Sequence, residues 1–258
     1  MRISKKVWNR YARTLNRVSK AAAAEMERAY LTLVESGASG EQLRQGLIAA
    51  ATAIAAKYGN AAGAAACEIY DAVAAMQRAS VPAALPAATA TRGEAAKAVD
   101  TALFRSKRAD VLGAAVGQLV KQAGADTTLQ NAKRDGAQWA WVPSGGETCA
   151  FCIELAGFGW LPASEAQMNG EHAEHIHPNC GCAFAIRFGD DLEVDGYNPR
   201  VYKKIYDDAP GATPDEKLNA MRREFYAENK AEINAQKRDA YEKRKELNAS
   251  SAEETVVG

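Results

Sequence analysis

Apolar residues recur every three or four positions through most of the first 133 residues, which is the spacing of one face of an α-helix. The first such run extends from Val7 to Leu33 and ends near Gly37, a residue type common just after helix C-termini. The run predicts one long amphipathic helix at the start of the chain.

Two further helices are predicted to follow. Ser39, with Gln42 three residues later, has the spacing of a capping box and predicts a second helix over roughly residues 40–58. Gly59 is expected to break that helix, and a third helix is expected over roughly residues 60–79. Joined by short connections, the three helices predict an antiparallel α-helical bundle.

The pattern changes after this bundle. Residues 81–92 contain prolines and show no periodicity, which predicts a linker and the clearest domain boundary in the chain. Helical periodicity returns over residues 94–104 and 108–133. Two short segments in which large and small residues alternate, residues 137–144 and 182–188, predict β-strands.

The expected fold class is therefore mainly α. Residues 1–80 should form the α-helical bundle, and residues 93–190 should combine further helices with a small α+β module. Residues 191–258 are polar, with sparse apolar positions, and predict a helical C-terminal tail of one or two exposed helices.

Composition excludes several classes of function. Hydrophobic residues make up 47% of the chain, but aromatics only 7%, so alanine-rich helices with thin contacts are expected. Lysine plus arginine number 32 and aspartate plus glutamate 32, so global charge favours neither nucleic acid nor membrane. No apolar run approaches the roughly 20 residues that span a bilayer, and no membrane partner is expected. The basic N-terminus lacks the apolar core of a secretory signal, which favours a reducing compartment.

The candidate chemistry is concentrated in residues 147–184, which contain four of the five cysteines and all three histidines. Cys149 and Cys152 form a C-x2-C pair whose spacing lets two thiolates reach one ion. His177 and Cys180 follow after 25 residues with the same spacing. The preferred metal-ligand set is these four residues, and Cys182 is the competitor for the fourth position. Thiolates with one imidazole select zinc, so the α+β module is predicted to be a zinc-binding module.

Catalytic alternatives fit the cluster less well. A closed four-ligand zinc is structural, since catalytic zinc keeps an open position. The HNH nuclease pattern needs a later histidine, and none follows His177. The order of a zinc deaminase motif is reversed here. His172 and His175 are expected to be solvated or to support the ligands. No catalytic residue is predicted, and the chain is not expected to be an enzyme.

The segments GGETCAFC and HPNCGC, each beside a predicted strand, resemble those of the Mu F-like minor head proteins of tailed phages. The family's usual arginine between the last two cysteines is Gly181 here. The alanine-rich helices and the linker also resemble those of phage minor capsid proteins, so the resemblance covers roughly residues 40–190. The positions that match the cysteine pattern are Glu147, Thr148, Cys149, Cys152, His177, Pro178, Cys180 and Cys182.

The resemblance implies a low-copy head protein at the portal vertex or capsid interior of the virion, present in the host cytoplasm during assembly. Its implied partners are the portal and major capsid proteins, and its implied roles are head assembly and genome packaging or ejection. One alternative is a zinc-containing enzyme, a nuclease or effector domain carried on a head protein. Another, a zinc-dependent DNA-binding regulator, is disfavoured because residues 147–175 contain no lysine or arginine.

Two features outside the cluster carry separate predictions. Cys67 is expected to be a buried, inert thiol on an alanine-rich helix. The first helix has seven basic residues before its first acid, Glu25. A solvated face is the favoured interpretation, and docking to an acidic head protein or to packaged DNA is the alternative. The seven are Arg2, Lys5, Lys6, Arg10, Arg13, Arg17 and Lys20.

Overall fold

The computed structural model describes residues 1–144, 148–163 and 181–254, with only a few side chains described beyond residue 232. The prediction of a mainly α protein is confirmed. The helices are α1 Lys5–Glu35, α2 Gly40–Met76, α3 Arg92–Arg105, α4 Ala109–Asp135, α5 Ala150–Gly157, α6 Pro199–Asp208 and α7 Pro214–Glu254. The strands are β1 Arg2–Ile3, β2 Gln138–Val142, β3 Leu161–Pro162, β4 Ala183–Arg187 and β5 Glu193–Val194.

The predicted first helix is confirmed as α1. Ser4 caps its N-terminus, where the side-chain oxygen accepts a hydrogen bond from the Val7 N–H at 3.4 Å. Val7 itself is 43% exposed, so the apolar stripe begins one residue later than its sequence pattern indicated. The buried face consists of Trp8, Tyr11, Ala12, Leu15, Ser19, Ala22 and Met26.

The predicted helix break at Gly59 is wrong, because α2 runs through it without interruption. Gly59 is buried, and a Cβ there would lie 2.9 Å from the Thr89 methyl group. The glycine therefore serves close packing rather than helix termination. What was predicted as a third helix is the second half of α2, so residues 1–80 hold two long helices in place of three.

The predicted capping box at Ser39 is also wrong. Ser39 precedes α2, but its side chain makes no capping hydrogen bond. A complete capping box instead begins α3, where Thr91 accepts from the Glu94 N–H and the Glu94 carboxylate accepts from the Thr91 N–H at 2.7 Å. The same spacing of a hydroxyl and an N3 acceptor thus forms the motif only where the backbone enters the helix with suitable geometry.

The third member of the bundle is α4, which packs on both α1 and α2. Small residues let α1 and α4 approach closely: a Cβ at Gly113 would lie 2.7 Å from the Ala23 carbonyl oxygen. One turn further, the Ser19 hydroxyl donates to the Gly117 carbonyl oxygen at 2.8 Å. Close backbone approach compensates for the small area that each alanine or glycine can bury.

The proline-containing segment between α2 and α3 is extended and held against α4. Asn131 accepts from the Leu85 N–H at 3.0 Å and donates to the Leu85 carbonyl oxygen at 2.8 Å. Thr127 accepts from the Ala87 N–H at 3.0 Å. One hydrophobic core therefore includes residues from both sides of this segment. The division of the chain into residues 1–80, 93–190 and 191–258, with a linker at 81–92, stays a prediction.

Both predicted strands are confirmed, as β2 and β4. They pair antiparallel from Gln138 opposite Arg187 to Val142 opposite Ala183, and β3 pairs with the other edge of β2. A second, two-stranded sheet was not predicted: β1 pairs in parallel with β5. Two residues per strand are too few to produce a detectable alternation.

The C-terminal region begins inside the body of the protein. Leu192 and Val194 are buried in the main core, and α6 packs along α5. The first turns of α7 then contact α5, where Leu218 and Met221 pack with Ala150. No helix in the described ranges combines the length and apolar character that crossing a membrane requires.

Cys67 lies on α2 and is half-buried rather than fully buried, which corrects the predicted environment. Burial is the main factor that raises the pKa of its thiol, and the nearby Asp71 carboxylate adds to it. A raised pKa leaves a smaller thiolate fraction at any given pH. We therefore expect iodoacetamide to label Cys67 several-fold more slowly than a cysteine in an unstructured peptide, measured site by site by mass spectrometry. Labelling as fast as in the peptide would contradict this expectation.

Candidate metal centre

The paired strands bring the two halves of the cysteine pattern to one end of the sheet. β2 ends at Val142, which is paired with Ala183 at the beginning of β4. Cys182 directly precedes β4, and Cys149 follows β2 by seven residues at the start of α5. The antiparallel register thus places the chain that leaves β2 toward Cys149 and the chain that enters β4 at Cys182 at the same edge of the sheet, which we call the cysteine-bearing edge.

Cys149 is the N-cap of α5. Its Sγ accepts a hydrogen bond from the backbone N–H of Cys152 at 3.4 Å. Cys152 is buried, and Cys149 is half-buried against the same core. A side chain at this position faces the backbone N–H groups of the first helical turn. The local structure therefore holds the Cys149 sulfur, a potential metal ligand, at the N-terminus of a short helix.

Gly181 and Cys182 enter β4 in close contact with the chain that leaves β2. The Ser144 hydroxyl donates a hydrogen bond to the Gly181 carbonyl oxygen. A Cβ at position 181 would overlap the Ser144 carbonyl oxygen. This contact explains why glycine stands where the resembling proteins have arginine: the two segments are too close here for a side chain.

Tyr202 on α6 lies near Cys182. Burial is the main factor that raises the pKa of Tyr202, and the proximity of Cys182 adds to it. Tyr202 stacks with Tyr197 at a ring-centroid distance of 6.0 Å. The cysteine-bearing edge is therefore bounded by α5 on one side and approached by aromatic residues of the following segment.

Phe184 is the centre of the aromatic packing behind the cysteines. Its ring contacts Trp139 and Trp141 edge to face, at centroid distances of 4.9 and 4.8 Å. All three side chains are buried. Because Trp139 and Trp141 are two residues apart on β2, they share one face, and Phe184 on β4 packs against both.

A second aromatic cluster locks the loop before α6 onto α5, and it was not predicted from the sequence. The Tyr197 hydroxyl donates to the Ala156 carbonyl oxygen at 2.9 Å, and burial raises the pKa of this phenol. Trp160 contacts the Tyr197 ring and stacks under the Arg187 guanidinium at 4.8 Å. The aromatic residues between positions 160 and 202 could have indicated this cluster in the sequence, but they show no regular spacing.

Several predicted ligands cannot be placed. His177 and Cys180 fall outside the described residues, as do His172 and His175. In the described part of the chain, no three His, Cys, Asp or Glu side chains are grouped so as to hold a metal ion. Thiolate donors fit a soft cation, but the structure does not bring Cys149, Cys152 and Cys182 together as one such group. The zinc site and its ligand set, including the choice between Cys180 and Cys182, stay predictions.

Comparison with known proteins identifies a family that this chain matches. A family model described as VG15 protein matches residues 2–209. The matched range begins at β1 and ends just after α6, so it contains the bundle, both sheets and the cysteine-bearing edge. No curated protein matches the chain. No solved structure matches it either.

Proposed function

This chain belongs to the VG15 protein family, a family of phage proteins, and we propose that it serves as a minor capsid protein in assembly of the phage head. The observation that carries the proposal is the extent of the family match, which includes the whole cysteine-bearing edge. The sequence around Cys149 and Cys182 adds the resemblance to Mu F-like minor head proteins. The proposed role is structural, with no catalytic residue.

A structural zinc would suit the construction of this edge. When bound, zinc supplies a tetrahedral cross-link between thiolate and imidazole donors. Cys149 and Cys152 would hold it from the start of α5, and His177 with Cys180 or Cys182 would hold it from the approach to β4. The chain from the end of α5 at Gly157 to the start of β4 at Ala183 is long. A cross-link there would reduce the conformational freedom of the unfolded segment.

We place the protein at the portal vertex or the capsid interior, in contact with portal and major capsid proteins. α7 supports an assembly role, because among its described side chains it is those of the first turns that are buried on the body, and the helix lies beyond the family match. A largely polar helix of 41 residues is marginal by itself and is stabilised by packing against another surface. A neighbouring head protein is the proposed contact for the remainder.

The proposal predicts that the protein co-sediments with phage heads. Quantitative mass spectrometry of purified heads and virions should find it at a copy number far below that of the major capsid protein. A phage lacking this gene should produce fewer filled heads, and expression of the wild-type chain in trans should restore them. A protein found only in the unassembled fraction of the lysate, with normal heads in its absence, would contradict the proposal.

A further inference from the structure

Five of the basic residues of α1 form a single row, which we call the basic stripe: Lys6, Arg10, Arg13, Arg17 and Lys20. Successive members are separated by four, three, four and three positions. At about 100° per residue, this spacing keeps all five within an arc of about 80° on the helix surface. At about 1.5 Å per residue, the row is about 21 Å long.

The stripe faces away from the protein body. The buried residues of α1, from Trp8 through Leu15 to Met26, are centred about 180° from the stripe around the helix axis. That buried face packs on α2 and α4, so α1 is held along its length. All five basic side chains are exposed. The fold therefore presents the charges as a straight, rigidly supported row.

No carboxylate neutralises the stripe in the part of the chain that the structure describes. Two basic residues outside it are paired, Arg2 with Glu193 and Lys57 of α2 with Glu25. The five stripe residues make no ion pair among the described residues. The sequence explains part of this difference, since the first acid of α1 is Glu25, beyond the end of the stripe.

We propose that the basic stripe binds the phosphate backbone of double-stranded DNA without reading its sequence. DNA carries a negative charge about every 1.7 Å along its axis, so a straight row of cations can contact several phosphates. The residues flanking the stripe are the half-buried Asn9, Thr14 and Asn16, whose side chains are of the types that contact phosphates.

An acidic protein surface is the less suitable partner. Protein interfaces carry aromatic and apolar residues at their centre. Between Lys6 and Lys20, the arc of the stripe contains only the five basic residues. This inference rests on the proposed function only in taking the packaged genome as the DNA. The binding itself is a property of the purified full-length chain.

The test is binding of a fluorescent DNA duplex to the full-length protein in a salt series. Five phosphate contacts predict that affinity falls about 500-fold between about 50 and 200 mM salt. Replacing Arg10, Arg13 and Arg17 by Gln leaves two contacts and should reduce that fall to about tenfold. Glutamine has nearly the helix propensity of arginine, so the variant should keep its circular dichroism.

A variant with the same change in net charge provides the control. Lys97, Arg105 and Lys107 are exposed and lie outside the stripe, and their replacement by Gln should leave the salt slope unchanged. Salt-independent binding, equal effects of the two triple variants, or stronger competition by poly-L-glutamate than by unlabelled DNA would overturn the inference. Because the assay uses no phage heads, its outcome is separate from co-sedimentation, which tests the proposed function.

Discussion

Replacing Cys149 by Ser should remove zinc from the purified protein and unfold the region from β2 to β4, while α1 to α4 stay folded. Wild-type protein should carry about one zinc per chain. Structural zinc contributes about 10 kcal/mol or more in small modules, so the effect of its loss should be largest around β2 and β4. The helices supply most of the buried residues of the shared hydrophobic core, among them Met26, Leu112 and Val116, and should keep their packing.

Elemental analysis and hydrogen exchange resolved by segment would measure both effects. His177→Ala should behave like Cys149→Ser, and Cys67→Ser is the matched control that should keep its zinc. Cys180→Ser and Cys182→Ser then identify the fourth ligand, because only the variant that removes a ligand should lose the metal. Full metal retention in Cys149→Ser and His177→Ala together would show that this cluster is not the zinc site.

Replacing Phe184 by Ala should lower the free energy of unfolding by about 3–5 kcal/mol. The side chain is only 3% exposed, and its loss removes both edge-to-face contacts with Trp139 and Trp141 and leaves a cavity between β2 and β4. Cys182 lies two residues before Phe184, so we also expect weaker zinc retention in this variant. Urea unfolding followed by tryptophan fluorescence would measure the change.

The chain contains a matched control for this substitution. Phe104, near the end of α3, is 93% exposed. Phe104→Ala removes the same atoms without opening a cavity, and alanine favours helix, so its stability should change by less than about 0.5 kcal/mol. A similar loss of stability in both variants would mean that the packing around Phe184 is not the source of the effect.

Predictions from the sequence were correct for elements that depend on neighbouring residues, and they failed where packing between residues distant in sequence decides the structure. The regular spacing in α1 and the alternation in β2 and β4 reflect burial of one face over consecutive residues, and these elements were predicted. The break at Gly59 was predicted wrongly, because glycine costs only about 1 kcal/mol in a helix and packing against Thr89 requires the absence of a side chain.

The cysteine-bearing edge shows the same difference between local patterns, which were predicted, and long-range contacts, which were not. The spacing of Cys149 and Cys152 predicted a pair of metal ligands. The structure adds the hydrogen bond from the Cys152 N–H that positions the Cys149 sulfur at the start of α5. The second aromatic cluster, with Tyr197 and Trp160, could not be predicted, because its residues show no regular spacing. They meet only where the chain after β4 packs back against α5.

The sequence by itself determined the helical class, the two main strands and the clustering of metal-ligand chemistry, since each is encoded within short, continuous segments. Only the tertiary structure decided that α4 completes the bundle and that β1 pairs with β5, some 190 residues away in sequence. These outcomes depend on which surfaces bury one another, and that is a property of the whole chain rather than of any local pattern.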